Sequence, residues 1–301
     1  MSALPAAVAA PDSVEVLPPL AGRRRIAAVL RKDPAALAGL TVIALFLLVA
    51  IAGPWIAPYP AQGAGVVDPN TLTLPPSAAH PFGTDDLGRD LLSRVTIGAR
   101  PTVLVPFAVV ILAVSIGAPL GAVAGYLGGW ADRIIMRLTD LFLAFPSLLL
   151  AMAIAAALGP SLTHAAIALV VSWWPWYTRL VRGVASSLRQ RDFVEAARSI
   201  GVTNRTIIRR HILPNTITPI LVQASVDLGI VVLAMGGLAF LGLGTQPPGA
   251  DWGLMISEGR ASVLSFWWIS AVPGLAMLLL VMSFNLVGDA LRDVFDPRQY
   301  R

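Results

Sequence analysis

Glu195-Ala196-Ala197, with Gly201 four residues on and Leu213-Pro214 beyond it, stands in a polar loop between two long apolar runs. These residue types suit docking and not bond-making. Asp192-Phe193-Val194-Glu195 has the form of a capping box, in which Asp192 accepts from the Glu195 amide and Glu195 reaches back to the Asp192 amide. Ala196 and Ala197 let another surface approach closely, and Gly201 can take positive φ and turn the chain. Thr203 then caps a second helix, with Ile207, Ile208 and Ile212 on one side and Arg205, Arg209 and Arg210 on the other, until Pro214 stops it. The plain alternative is a capped hairpin that joins two apolar segments, and local physics does not separate the two.

Residues for covalent or metal chemistry are scarce. The single lysine, Lys32, follows Ala28-Val29-Leu30-Arg31 and no glycine-rich loop, so this chain does not supply a phosphate-cradling ATPase site. His80, His164 and His211 are far apart and have no ligand spacing, and there is no cysteine. No G-x-S-x-G nucleophile turn occurs. The expectation is no catalytic residue, no bound metal and no cofactor held by this chain.

The elements that position the loop follow from composition. With 56% hydrophobic and 13% charged residues and a mean hydropathy of +0.74, the chain has lipid as its solvent. Six apolar stretches approach the roughly 20 residues that a membrane-crossing helix needs: 35–56, 102–126, 141–158, 165–180, 217–239 and 267–287. An all-α membrane protein is expected, since alternation of a barrel kind is absent. Six crossings put both termini on one side. That side holds 18 of the 22 basic residues, while Arg89, Arg94, Arg100 and Arg260 lie opposite beside several acids. The basic side, and with it the Glu195 loop, is therefore expected in the cytoplasm. The net charge of +5 reads as orientation and attraction to anionic lipid, not as nucleic-acid binding, because no reading module is present.

The organisation expected is a disordered basic tail over 1–33, a first transmembrane helix over 34–56, an extracytoplasmic loop over 57–101 and a five-helix core over 102–301, with the loop of interest at 190–215. Within 57–101, Leu87, Leu91 and Val95 make the apolar face of an amphipathic segment whose other face holds Arg89, Asp90 and Arg94. Asp227 falls near the middle of the fifth stretch, where a carboxylate costs at least ~2.5 kcal/mol, so it should face the bundle interior. It is either a polar wall of a translocation path or a structural hydrogen-bond partner. Trp173, Trp174, Trp176 and Tyr177 read as an interfacial aromatic belt, with a pore constriction as the alternative. Pro106, Pro119, Pro146, Pro175, Pro219 and Pro273 can kink their helices, although proline is also simply frequent in membrane spans.

The E-A-A-x-x-x-G pattern with its distal L-P resembles the signature by which permeases of ATP-binding-cassette (ABC) importers engage their ATPases. Three further stretches resemble the C-type permease (DppC/OppC-like) of the dipeptide, oligopeptide and nickel branch. They are His80-Pro81-Phe82-Gly83-Thr84-Asp85-Asp86-Leu87-Gly88-Arg89-Asp90, then Phe240-Leu241-Gly242-Leu243-Gly244 with Gln246-Pro247-Pro248 and Asp251-Trp252-Gly253, and finally Asn285-Leu286-Val287-Gly288-Asp289-Ala290-Leu291-Arg292-Asp293 with Asp296-Pro297-Arg298. The resemblance runs from about Lys32 to the last residue. His211 stands where the general pattern has an aliphatic residue, and the peptide branch often has histidine there.

That resemblance implies a type I importer permease with six transmembrane helices and cytoplasmic termini, itself non-catalytic. It implies pairing with a homologous B-type permease, two ATPase subunits that carry the ATP and Mg, and an extracytoplasmic substrate-binding protein. Glu195, Ala196, Ala197 and Gly201 would form a coupling helix seated in an ATPase cleft, with Leu213 and Pro214 closing the motif. Peptides are the expected cargo, and nickel, glutathione and other small-solute importers share the motifs. A self-sufficient channel or secondary transporter would instead show an inverted repeat or a conspicuous ion site, and neither is apparent.

Overall fold

A computed structural model describes residues 33–295. The expected tail and the Asp296-Pro297-Arg298 motif lie outside these residues. The described chain is helical, with one isolated bridge between Thr84 and Asp90. We label the principal helices α1 (Pro34–Ile56), α2 (Leu91–Leu127), α3 (Gly129–Leu143), α4 (Ser147–Leu158), α5 (Leu162–Leu188), α6 (Asp192–Ser199), α7 (Asn204–Ile207), α8 (Leu213–Phe240), α9 (Trp252–Glu258) and α10 (Trp268–Phe295). A π-helical turn, Ile208–Ile212, joins α7 to α8 without a break, so Asn204–Phe240 is one rod.

Among the described residues, four helices are long and apolar enough to cross a membrane: α1, α2, the Asn204–Phe240 rod and α10. The expected third crossing at 141–158 is instead a pair, α3 and α4, bent by 83°. Phe145-Pro146 explains the break. The residue before proline is pushed from helical geometry, and Pro146 takes an extended ψ of 123° ahead of α4. α5 has 27 residues, but Arg179 and Arg182, with His164 and several hydroxyl residues, make it less apolar than the other long helices.

The expected loop–core boundary at 101/102 falls inside α2, which begins at Leu91. Asp90 caps it by accepting from the Ser93 amide at 2.8 Å. Pro101, Pro106 and Pro119 are carried within this helix.

α2 lies along α5, α1 packs on α2 and α10, and α8 packs between α10, α2 and α5. The α2–α5 contact depends on a GxxxGxxxG stripe, Gly117, Gly121 and Gly125. A Cβ at any of them would collide with a backbone carbonyl of α5, those of Trp174, Thr178 and Arg182 respectively. Small residues of this spacing let two membrane helices approach to backbone contact. Two buried clusters fill the bundle. One is centred on Val109, Ala113, Leu169, Trp173 and Leu238, the other on Val103, Trp252, Met277 and Leu280. A third, nearer the polar loop, joins Ala118, Ala122, Val181, Val194, Ile207 and Ile212.

Candidate coupling loop and buried carboxylate

α6 begins one residue earlier than a capping box at Asp192 requires. Arg191 occupies the cap position, without a side-chain cap bond, and its carbonyl accepts from Val194 and Glu195 at 2.9 and 3.1 Å. Asp192 is thus the first helical residue, where its charge complements the helix N-terminus but its side chain no longer faces the Glu195 amide. Thr203 does stand at the cap position of α7. Its hydroxyl meets the Thr206 hydroxyl at 3.0 Å in place of a backbone amide.

The two alanines divide. Ala197 is buried with Val194 against Ala122, Val181 and Ile207, whereas Glu195 and Ala196 are exposed. The outward surface of α6 therefore presents Glu195, Ala196 and Phe193, with Ile200 beyond its end at 81% exposure. Gly201 has a φ of +81° and turns the chain as its residue type allows. No other group stands within 4 Å of where its Cβ would be.

Pro214 does not stop the second helix. The preceding π turn bonds the Leu213 amide to the Ile208 carbonyl, and the widened turn accommodates a residue that lacks a donor and would crowd the carbonyl four residues back. Leu213 is half-buried and Pro214 exposed on the continuing rod.

Contacts that the sequence reading missed fix the loop to the bundle. The Tyr126 hydroxyl, in the last turn of α2, donates to Asn204 Oδ1 at 3.1 Å, and the Arg198 guanidinium lies 5.8 Å from the centre of the Tyr126 ring. The Phe193 and His211 rings meet at a tilt of 43° with centres 6.2 Å apart, tying α6 to the π turn. Arg182 of α5 grips Asp132 of α3 through both carboxylate oxygens, with the Nη2 contact at 2.6 Å, and Arg179 reaches Asp140 at 2.6 Å. Oppositely charged residues 39 and 50 positions apart on separate helices gave no signal of this pairing.

Asp227 is 4% exposed in α8, as a costly intramembrane carboxylate should be. Gln223 Nε2 donates to Oδ1 at 2.9 Å. Oδ2 and the adjacent Tyr177 hydroxyl are both buried without a hydrogen-bond partner among the described residues. Trp173, Trp174 and Tyr177 are also buried, between helices and not in a belt, and only Trp176 is half exposed. The aromatic run sits on a helix packed by α2, α3, α4 and α8, and Trp176 marks its exposed side.

The two faces expected over 87–95 are not separated, since Leu91 is buried together with the charged residues. Arg89, Asp90 and Arg94 are buried, and Leu87 is exposed. Arg89 binds Asp85 at 2.6 Å and Glu258 at 2.9 Å, and Arg94 binds Glu258 at 3.1 Å and the Gly249 carbonyl at 3.2 Å. Paired guanidiniums can be buried where solitary ones cannot. His80 Nδ1 meets Asp90 Oδ1 at 2.9 Å, whereas His164 bonds the Gly159 carbonyl and His211 faces Phe193, so the three histidines occupy separate places.

Residues 117–301 match the family described as binding-protein-dependent transport system inner membrane component. Residues 23–76 match the N-terminal transmembrane domain of oligopeptide transport permease C. The chain is 46% identical over 269 residues to the probable D,D-dipeptide transport system permease protein DdpC of Escherichia coli K12, covering 89% of each chain. It is 44% identical to the dipeptide transport system permease protein DppC of Alkalihalophilus pseudofirmus, over 89% of this chain and 88% of that one. It is 42% identical to the glutathione transport system permease protein GsiD of Escherichia coli strain 536, with the same coverage. Among solved structures, an inward-facing form of the MetNI methionine ABC transporter superposes with a TM-score of 0.54 at 19% identity, covering 67% of this chain and 97% of that one. That likeness speaks to the fold. Sequence and fold together place this chain in the family of binding-protein-dependent transport system inner membrane components, as a multi-pass permease subunit of an ABC importer in the bacterial inner membrane.

Proposed function

We propose that this permease translocates di- or oligopeptides and is driven by ATP hydrolysed on separate subunits, itself carrying neither catalytic residue nor cofactor. The reading includes six crossings with both termini in the cytoplasm, the 1–33 tail and the core over 102–301. The partners are a homologous B-type permease, two ATPase subunits holding ATP and Mg, and an extracytoplasmic substrate-binding protein.

The observation that carries the coupling role is the outward face of α6. Glu195, Ala196, Phe193 and the 81%-exposed Ile200 form a small, partly apolar surface on a loop of the basic side, with Ala197 and Val194 anchoring it from behind. An exposed isoleucine and phenylalanine beside a carboxylate suit a protein cleft better than water or lipid headgroups. Gly201, Leu213 and Pro214 set the angle at which that surface is carried, and Asp227 is assigned to the translocation path.

The cargo assignment rests on the two dipeptide relatives. Glutathione, itself a small peptide, is the second reading, favoured by the 42% identity to a glutathione permease, and nickel chelates are the remoter one. The test is ATP hydrolysis by the complete importer in lipid with its binding protein, titrated with peptides of increasing length, glutathione and nickel chelates. Stimulation by peptides, lost on Glu195→Lys, is the expected result. Stimulation by nickel chelates alone overturns the cargo. Unaltered stimulation and uptake in Glu195→Lys overturns the coupling role.

A further inference from the structure

We propose that the basic side of the Asn204–Phe240 rod binds one anionic phospholipid, with its phosphate on Arg205, Arg209 and Arg210 and an acyl chain in the adjoining groove against α2. Two separate features of the surface converge on this ligand, and neither depends on the cargo.

The first is a cationic pocket of about 270 Å³ formed by Arg205, Thr206, Arg209 and Arg210. All three guanidiniums are on exposed residues, and none forms an ion pair among the described residues. Guanidinium forks and a hydroxyl suit phosphate oxygens.

The second is a groove of about 460 Å³ between α2 and α8, lined by Ala118 and Pro119 on one wall and Leu213, Pro214, Ile217 and Leu221 on the other. It begins one turn beyond the arginines. Thr206, Arg210, Pro214, Ile217 and Leu221 follow one another three or four residues apart along the rod, so the Thr206–Arg210 edge of the pocket leads into the groove. From Leu213 to Leu221 the rod rises about 12 Å, close to the ~15 Å depth of one leaflet of the hydrocarbon core.

The charge profile selects the occupant. Along the membrane normal the surface is cationic and then predominantly apolar, with Ser115 and Thr216 the only hydroxyls lining the groove among the described residues, the complement of an anionic headgroup with its chain. A soluble partner can reach the arginines but not a groove at acyl-chain depth. A homologous permease with the same charge asymmetry would bring basic residues of its own to this level, where they would repel.

Native mass spectrometry of the complete importer, titrated with phosphatidylglycerol and with phosphatidylcholine, tests the proposal. The wild type should retain phosphatidylglycerol preferentially. Removing two arginines with Arg209→Gln and Arg210→Gln should weaken that retention roughly 30-fold, about fivefold for each charge. Filling the groove with Ile217→Trp should abolish it with the arginines intact, and Leu221→Trp serves if that variant does not assemble. Equal retention of both lipids, or retention unchanged in the arginine or groove variants, overturns the site. Displacement of the lipid by millimolar inorganic phosphate would mark a free-phosphate pocket and overturn it too. So would loss of the ATPase or the second permease from the arginine or groove variants, because a protein would then be the occupant.

Discussion

Two buried carboxylates distinguish a residue that the membrane makes costly from one that a loop makes useful. Asp227 has one oxygen satisfied by Gln223 and the other facing Tyr177 without a hydrogen bond. Asn at this position keeps the acceptor for Gln223, so Asp227→Asn should assemble at the wild-type level. If the charge belongs to the path, peptide uptake into proteoliposomes falls at least tenfold, and unaltered uptake removes Asp227 from the path. Asp251 is also buried, but it caps α9, accepting from the Gly253 and Leu254 amides at 2.9 and 3.2 Å. Burial holds its carboxyl above the usual carboxylate range, and those amides pull it part of the way back. Its folded value is therefore raised. The stability gained by protonating it is fully present below the ordinary carboxylate range and is lost as pH rises through the raised value. Asp251→Asn keeps the cap acceptor and removes the buried charge. Its thermal stability at neutral pH should match or exceed the wild type's and vary less on acidification. Asp251→Ala should lose about 1 kcal/mol with the cap. Unfolding of the purified complex at pH 5 and pH 7.5 measures both.

At the scale of elements, glycine does two different jobs. Gly121 faces the Thr178 carbonyl in direct helix contact, so Gly121→Val must spread α2 from α5. A loss of about 3 kcal/mol or a failure to assemble is expected, in the range for overpacking, and detergent-solubilised yield and unfolding temperature report it. Gly201 has open space around it, and only its φ of +81° constrains the residue. Gly201→Asn, which tolerates that region, should couple normally, while β-branched Gly201→Val should strain the turn by about 1–2 kcal/mol and lower substrate-stimulated ATP hydrolysis without loss of assembly. Equal coupling in the two would show that the angle of the turn does not matter.

The same contrast explains what could be read beforehand. Apolar length and the Gly201 turn are local properties, and α1, α10 and the positive φ match the reading of them. The break at Pro146 belonged to a proline expected to kink its helix, but not its size, because an 83° bend depends on where α4 finds α5 to pack against. The continuation through Pro214 was hidden, since a π turn leaves no residue signature. Which of Ala196 and Ala197 faces the bundle depended on the partner surface formed by Ala122, Val181 and Ile207, and so did the burial of three of the four clustered aromatics.

At the scale of the whole molecule, α2 reaches from the Arg89–Arg94–Glu258 ion cluster to the candidate coupling loop. Arg94 lies in its second turn and Tyr126 near its end, and 37 residues of helix span about 55 Å. Its first turns are held by charge: Glu258 joins Arg89 and Arg94, and Asp85 satisfies Arg89 from the other side. Its last turn is held by the Asn204 hydrogen bond and the Arg198 contact. A rod fixed at both ends carries displacement of one end to the other, whereas a rod loose at one end absorbs it. Glu258→Gln leaves two buried guanidiniums short of one negative charge, and breaking a buried pair by removing one partner costs about 3–5 kcal/mol. That cost should appear at the outer end, as faster amide hydrogen exchange over Leu91–Thr96 and a lower unfolding temperature. Arg260→Gln is the matched control. Arg260 is exposed, its guanidinium 5.8 Å from the Phe240 ring centre, and it takes no part in the cluster, so exchange over Leu91–Thr96 should be unchanged. If Glu258→Gln loosens the outer turns and also lowers ATP hydrolysis stimulated by the binding protein, with basal hydrolysis intact, α2 transmits from one face to the other. Loosened exchange with full stimulation would confine the ion cluster to stability and leave transmission to α8 and α10.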